Sequence, residues 1–358
     1  MRLSFVQSYP VFHEGLALEE WLRVRNRDRF LPAVAAALGH EVELLAVGRD
    51  RASLESHGPG MEGYRIEIFP TDRPGARPRA HASRALVEHA RQRAAAVHFI
   101  KGIDGAAGLS LVRDHLLPSG LPYGMVVGGK SYNREAARAG VVLCETAGQR
   151  ERLRRRGLRL WRRPLEASRL LLLPKSVDTE VFRPAAPGDE KRWDVILAGR
   201  LLGWKNFDAV APLAAACRVA VVGGGPEESR LRRRFPAVTW LGRRPHAEVA
   251  SLLRQARILY HPGRFDAYPR VVAEAFACGL AVVAVRGGVS PDAIPPTAGL
   301  VAPAAGAPER ILALLADRPR LEAMGQAARA HAVRELGQDS CRPALLAALE
   351  RLTGGCRS

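Results

Sequence analysis

Between Asp194 and Pro303, charged residues and glycines recur at or just beyond the ends of short apolar runs. Arg200 follows the run Val195–Ala198 through Gly199, and Lys205 comes five positions later. Two fixed cations at a strand's end neutralise a diphosphate, and an arginine engages it through two parallel hydrogen bonds. Lysine is scarce here, five of 54 basic residues, so Lys205 carries more weight than Arg200 in an arginine-rich chain. Asp266 and Glu274 stand eight positions apart. Pro269 suits a first helical position and Gly279 a C-terminal stop, which places Glu274 inside a helix and Asp266 in the loop before it. Free N–H groups near Arg270 and Val271 would then favour an anion, while Glu274 can accept two ribose hydroxyls. A glutamate flanked by Val271, Val272, Ala275 and Phe276 is costly without a partner, and a buried ion pair with an arginine is the alternative use.

Weaker signals accompany these. Gly223-Gly224-Gly225-Pro226 ends an apolar run, but Glu228 occupies the third glycine position of a dinucleotide fingerprint. That cluster, like Gly287-Gly288, reads equally well as a tight turn. Trp240-Leu241-Gly242-Arg243 ends another run, where backbone groups beside Arg243 could meet a base edge. His98 lies in Val97–Ile100, a strand whose end is expected to face a cleft; a lone histidine there is either a core residue or a catalytic one. No D-x-D pair or metal-spaced histidine cluster occurs, Asp178-Thr179-Glu180 being the nearest approach, so no metal and no cofactor is expected. Protein cations would stand in for the metal.

The elements that must position these residues follow from periodicity. Strands are expected at Leu3–Gln7, Val42–Val47, Tyr64–Phe69, Ala96–Ile100, Gly124–Val127, Val141–Cys144 and Leu170–Leu173. A second series comprises Asp194–Ala198, Arg218–Val222, Val238–Leu241, Ile258–His261 and Ala281–Val285. Amphipathic stretches such as Arg29–Leu38, Arg79–Arg93, Phe207–Ala216, Ala247–Gln255 and Pro308–Leu315 lie between them. Repeated strand–helix–strand order implies α/β architecture with parallel sheets covered on both faces. The polar segment Pro184–Glu190 reads as a linker, giving two Rossmann-like doubly wound domains facing a cleft. The expected domains are 1–184, 191–335 and a C-terminal helix in 336–358 that packs back on the first. Ligands bind such sheets outside the carboxyl ends of the strands.

Bulk properties narrow the function classes. The chain has 358 residues, 47% hydrophobic and 25% charged, with a formal charge of +18. No apolar run nears the roughly 20 residues a membrane span needs. The N-terminus reads as a buried strand, so a cytoplasmic protein is expected. Nine arginines between Arg150 and Arg169, interleaved with Trp161 and leucines, could hold anionic lipid headgroups, giving a peripheral membrane position. Nucleic acid is not expected, because no nucleic-acid motif accompanies the charge. Five scattered cysteines make neither a disulfide framework nor a zinc site.

Taken together, Gly199-Arg200, Lys205-Asn206, Val222–Glu227, Leu241-Gly242, Asp266-x7-Glu274 and Gly287-Gly288 resemble the retaining glycosyltransferases of family 4, which have the GT-B fold. The resemblance extends upstream through Leu173–Pro184 and is specific over about Leu173–Pro303. It implies that Arg200 and Lys205 hold the donor diphosphate, Glu274 the ribose and Asp266 the donor sugar. Gly199, Arg243, Arg270 and Val271 would line the same site. It further implies hexose transfer from a nucleoside-diphosphate sugar to a glycan or glycolipid acceptor, with retention and without metal, in cell-envelope or polysaccharide synthesis. Asp266 stands where that family has glutamate, and Ala267 and Pro269 replace its glycines. The first turn, Gln7-Ser8-Tyr9-Pro10, lacks its glycine pair, and His98 has no second histidine two residues on. Two rivals stay open: a sugar-nucleotide epimerase on the same architecture, and a catalytically weak nucleotide- or polyanion-binding module.

Overall fold

The alternation of β-branched runs with longer amphipathic stretches produces two parallel-sheet α/β units. One is Met1–Pro174 with Gln338–Ser358, the other Lys175–Gly337. The structure, a computed structural model, describes residues 1–13, 15–58, 60–102, 104–128, 133–155, 164–186 and 188–354.

The first unit contains β1 (Arg2–Gln7), β2 (Glu41–Gly48), β3 (Ala52–Glu55), β4 (Arg65–Pro70), β5 (Val97–Lys101), β6 (Tyr123–Val127), β7 (Val141–Cys144) and β8 (Leu170–Leu172). Their spatial order is β3-β4-β2-β1-β5-β6-β7-β8. All pair in parallel except β3, which runs antiparallel to β4 at the sheet edge. Its sequence, Ala52-Ser53-Leu54-Glu55, is too polar and short to announce a strand. Alternation along the strands divides the core: Leu3, Phe5 and Leu44 face one helical layer, Val6, Leu45 and Val47 the other. Helix Arg342–Gly354 contributes Leu345, Leu349 and Leu352 to the first of these layers. Each such leucine contributes about 1.5–3 kcal/mol of burial free energy, which explains why the chain's last helix clusters with its first half.

The second unit contains β9 (Trp193–Ala198), β10 (Val219–Val222), β11 (Thr239–Gly242), β12 (Ala256–His261), β13 (Ala281–Val285) and β14 (Gly299–Ala302). They are all parallel, in the order β11-β10-β9-β12-β13-β14. Counted within the unit this is 3-2-1-4-5-6, the doubly wound order in which the direction of winding reverses between β9 and β12.

Three expectations need correction. The units divide at Pro174/Lys175 rather than in Pro184–Glu190. Val177 N–H donates to Leu336 O at 2.7 Å and Phe182 is fully buried in the second core, so the segment before the polar stretch is already anchored there. The helix expected from Arg79 begins at Arg84, because Ser83 Oγ caps it by accepting from Leu86 N–H at 3.4 Å. The stretch Phe207–Ala216 forms a 3-10 turn, Phe207–Val210, and a single α turn, Ala211–Ala214. Among the described residues no helix is long and apolar enough to cross a membrane.

Candidate active site

Every strand of the second sheet points its carboxyl end to one rim, and the loops leaving β9 and β12 meet there. Asn206, in a left-handed conformation (φ 57°) that asparagine tolerates, joins them. Its Nδ2 donates to Pro262 O at 3.4 Å, and its Oδ1 accepts from Arg264 Nη2 at 3.1 Å. Arg264 N–H also donates to Trp204 O at 3.1 Å. The consequence is contact between residues sixty-one positions apart: Lys205 Nζ lies 2.5 Å from Asp266 Oδ2. The ammonium also sits 4.5 Å from the centre of the Trp204 ring, within cation–π range.

His261, the last residue of β12, brings Nε2 to 3.2 Å from the same Asp266 oxygen, close but without good hydrogen-bond alignment. Burial disfavours the Asp266 carboxylate, but His261 and the Lys205 ammonium more than offset it, holding its pKa below the usual aspartate range. Burial pushes the His261 imidazole pKa down, opposed by Asp266 and reinforced by Lys205. Asp266 N–H donates to Gly288 O at 3.1 Å and Ser290 N–H to Ala267 O at 2.8 Å, so the loop leans on the end of β13. A Cβ on Gly288 would collide with the carbonyl of Gly263, so this approach requires glycine. The same holds for Gly223 (φ 138°), where a Cβ would strike the carbonyl of Gly199. These glycines therefore serve close backbone passage at the rim.

Helix Arg270–Ala277 leaves this loop with Pro269 as its N-cap and no side chain capping its amino end. The N–H groups of Arg270 and Val271 lie in that first turn, one exposed and one half-buried at the side chain. Glu274, 5% exposed, sits further along the inward face and pairs with His246, Nε2 to Oε1 at 2.9 Å. Against the alternative of a buried ion pair with an arginine, Glu274 pairs with an imidazole. Arg200 and Arg243 extend from the rim after β9 and β11, both exposed.

Residues 178–331 match the model of the family described as glycosyl transferases group 1. Over that segment, less than half of the chain, the sequence is similar to the group 1 glycosyl transferases. A GDP-mannose-dependent alpha-mannosyltransferase of Mycobacterium tuberculosis (strain CDC 1551 / Oshkosh) is 33% identical over 140 residues, 36% of this chain and 37% of that protein. A GDP-mannose-dependent monoacylated alpha-(1-6)-phosphatidylinositol monomannoside mannosyltransferase of Corynebacterium glutamicum is 31% identical over 191 residues, 44% of this chain and 50% of the relative. The chain thus spans half or less of the length of these relatives. Sucrose-phosphate synthase from Thermosynechococcus elongatus superposes with a TM-score of 0.77 at 16% identity, covering 99% of this chain and 100% of that one. The two parallel-sheet units therefore have the GT-B fold.

In the second unit, Gly199, Arg200, Lys205, Arg243, Asp266, Arg270, Val271 and Glu274 all lie on loops or the helix at one sheet rim. His98 does not join a rim. It is the second residue of β5, at the strand's amino end, paired in register with Ser4 and fully buried. Its Nδ1 lies 3.0 Å from Ser4 Oγ and its ring meets His115 edge-on. Burial, with His115 adding to it, lowers its pKa to about 4, so it is a neutral core residue. Sequence reasoning missed His246 and His261. The signal for His261 is its place as the last residue of a strand at the ligand rim; His246 opens a helix, where nothing in the sequence distinguishes it.

Proposed function

We propose that this chain transfers a hexose from a nucleoside-diphosphate sugar to an acceptor hydroxyl, with retention of configuration and without a bound metal. The observation that carries the reading is the convergence of Lys205 and Asp266 at the reversal point of the second sheet, with Glu274 on the helix that follows. Lys205 and Arg200 take the diphosphate, the first-turn N–H groups of Arg270 and Val271 add to its neutralisation, and Glu274 accepts the ribose hydroxyls. The rim beside Arg243 takes the base. In the transfer, the bond between the sugar's anomeric carbon and the phosphate oxygen breaks and a bond to the acceptor oxygen forms on the same face. The departing diphosphate then takes up the acceptor's proton. Charge grows on that phosphate, so cations already fixed there lower the barrier most.

The relatives' names supply the next step: both use GDP-mannose, and one acts on a phosphatidylinositol glycolipid. GDP-mannose is accordingly the first donor to try, and a glycolipid or polysaccharide precursor the acceptor class. A peripheral site on an anionic membrane suits such an acceptor. Helix Ala147–Arg155 displays Arg150, Arg154 and Arg155 at the surface, with Glu151 pairing to the latter two. Arg156, Arg159, Trp161, Arg162 and Arg163 of the same basic stretch lie outside the described residues.

The test is a donor panel of GDP-, UDP- and ADP-hexoses with lipid and glycan acceptors, read by product anomer and repeated in EDTA. A retained anomer at undiminished rate with chelator is expected. An inverted product or loss of rate on chelation would reject the corresponding half of the reading, and conversion of the donor without acceptor would point to an epimerase.

A further inference from the structure

Helix Arg270–Ala277 carries Glu274 into an apolar layer with Val272, Ala273, Ala275 and Phe276, all fully buried. A carboxylate there needs a donor, and it finds one in the imidazole of His246, with Nε2 2.9 Å from Oε1. An ionised carboxylate only accepts, so the ring donates through Nε2. The ring is itself held. His246 is the first residue of helix His246–Arg254, directly after Pro245, and it meets the buried ring of Phe182 at 4.9 Å between centroids and 61°. One carboxylate oxygen is thus committed to the protein, and the Glu274 side chain as a whole keeps 6% of its surface accessible.

We infer that His246 is a positioning residue for nucleotide recognition: by holding Oε1 it orients Oε2 of Glu274 toward the ribose hydroxyls of a nucleoside diphosphate. This rests on the donor-binding reading above. His246 stands three residues beyond Arg243 in the segment after β11, so a single hydrogen bond ties the loop on the base side to the acid that reads the ribose. Without it the glutamate would have to surrender its side-chain rotamers at the moment of binding, and affinity for the ribose would fall. A clamp that acts through one carboxylate has a distinctive signature: it matters for ligands that carry ribose hydroxyls and not for ligands that lack them.

The experiment uses the full chain and calorimetric binding of whichever of GDP, UDP and ADP the wild type binds most tightly, alongside the 2′,3′-dideoxy form of that nucleotide. His246→Ala should weaken the ribonucleotide roughly tenfold or more, as expected for one oriented charged hydrogen bond, and leave the dideoxy form within about twofold. His246→Gln, which can still donate, should recover part of the loss. In a Glu274→Gln background the His246→Ala effect should shrink, because coupled residues are non-additive. Equal weakening of both ligands, or full retention of ribose discrimination in His246→Ala, would overturn the inference while leaving the donor site standing. A wild type that binds none of the three nucleotides would overturn the donor reading and the inference with it. Melting curves of each variant exclude unfolding as the cause, and His246→Gln keeps the test decisive should His246→Ala not fold.

Discussion

The two units share a winding order, yet their rims are differently furnished. In both, the order of strands reverses beside the unit's first strand, between β1 and β5 in one and between β9 and β12 in the other. At the first reversal point a buried ion pair stands beside a more accessible one. Arg27 Nη2 lies 2.8 Å from Glu145 Oε1, each side chain 3% accessible, and Lys101 Nζ lies 2.9 Å from Asp28 Oδ1. Beside them Gln7, Arg27, Asp28 and Lys101 line a cavity of about 20 Å³, room for one water molecule. At the second reversal point Lys205 and Asp266 are each about one-fifth accessible, and exposed Arg200 and Arg264 flank them. Both rims therefore hold a partly accessible Lys–Asp pair, Lys101–Asp28 at 24% and 20% and Lys205–Asp266 at 16% and 20%; the first is set apart by its buried Arg27–Glu145 pair and the second by the exposed arginines beside it.

The sharpest way to break this contrast is to remove a charge from the first rim. Arg27→Ala removes the guanidinium 2.8 Å from the buried Glu145 carboxylate, and a loss of about 3–5 kcal/mol is expected in denaturant titrations. If stability held and transfer activity vanished instead, the first rim would be a chemical site as well. At the second rim the reverse pattern is expected. Lys205→Ala should lower turnover by about 10²–10³ with a nearly unchanged melting temperature, and near-wild-type turnover would remove Lys205 from the mechanism.

His98 sharpens the comparison through pH. Its folded pKa, about 4, lies below the usual 6.5, so the unfolded chain binds the extra proton first. Stability present above pH 6.5 should then be lost as pH falls towards 4, by on the order of 3 kcal/mol. Chemical unfolding at several pH values tests this, and a His98→Phe variant with the same acid slope would assign the effect elsewhere. The smallest effect concerns the surface. Replacing Arg150, Arg154 and Arg155 with serine should weaken sedimentation with phosphatidylglycerol vesicles by roughly tenfold or more, at about 1 kcal/mol per cation near the surface. Undiminished binding would end the proposal of membrane attachment through this helix.

Legibility followed the same division. Lys205 stood out because lysine is scarce, Asp266 by its place in the loop before a helix, and Glu274 because a carboxylate among apolar residues demands a partner; they fell on one rim because parallel strands deliver their carboxyl ends together. Edge strand β3 was not readable, since its short polar sequence pairs through backbone groups that any residue supplies. The boundary near Pro174 was hidden for a related reason: Phe182 and Val177 belong to the second core through contacts with distant sequence. His98 misled, because an apolar strand containing histidine looks alike whether its end or its beginning meets the ligand rim.

The sequence alone determined the strand–helix alternation, the parallel sheets and the residue types at the carboxyl ends of the second set of strands, all of which follow from local periodicity. Only tertiary structure decided partners. Lys205 facing Asp266 and His246 holding Glu274 depend on side chains far apart in sequence, brought together by burial that no local pattern encodes.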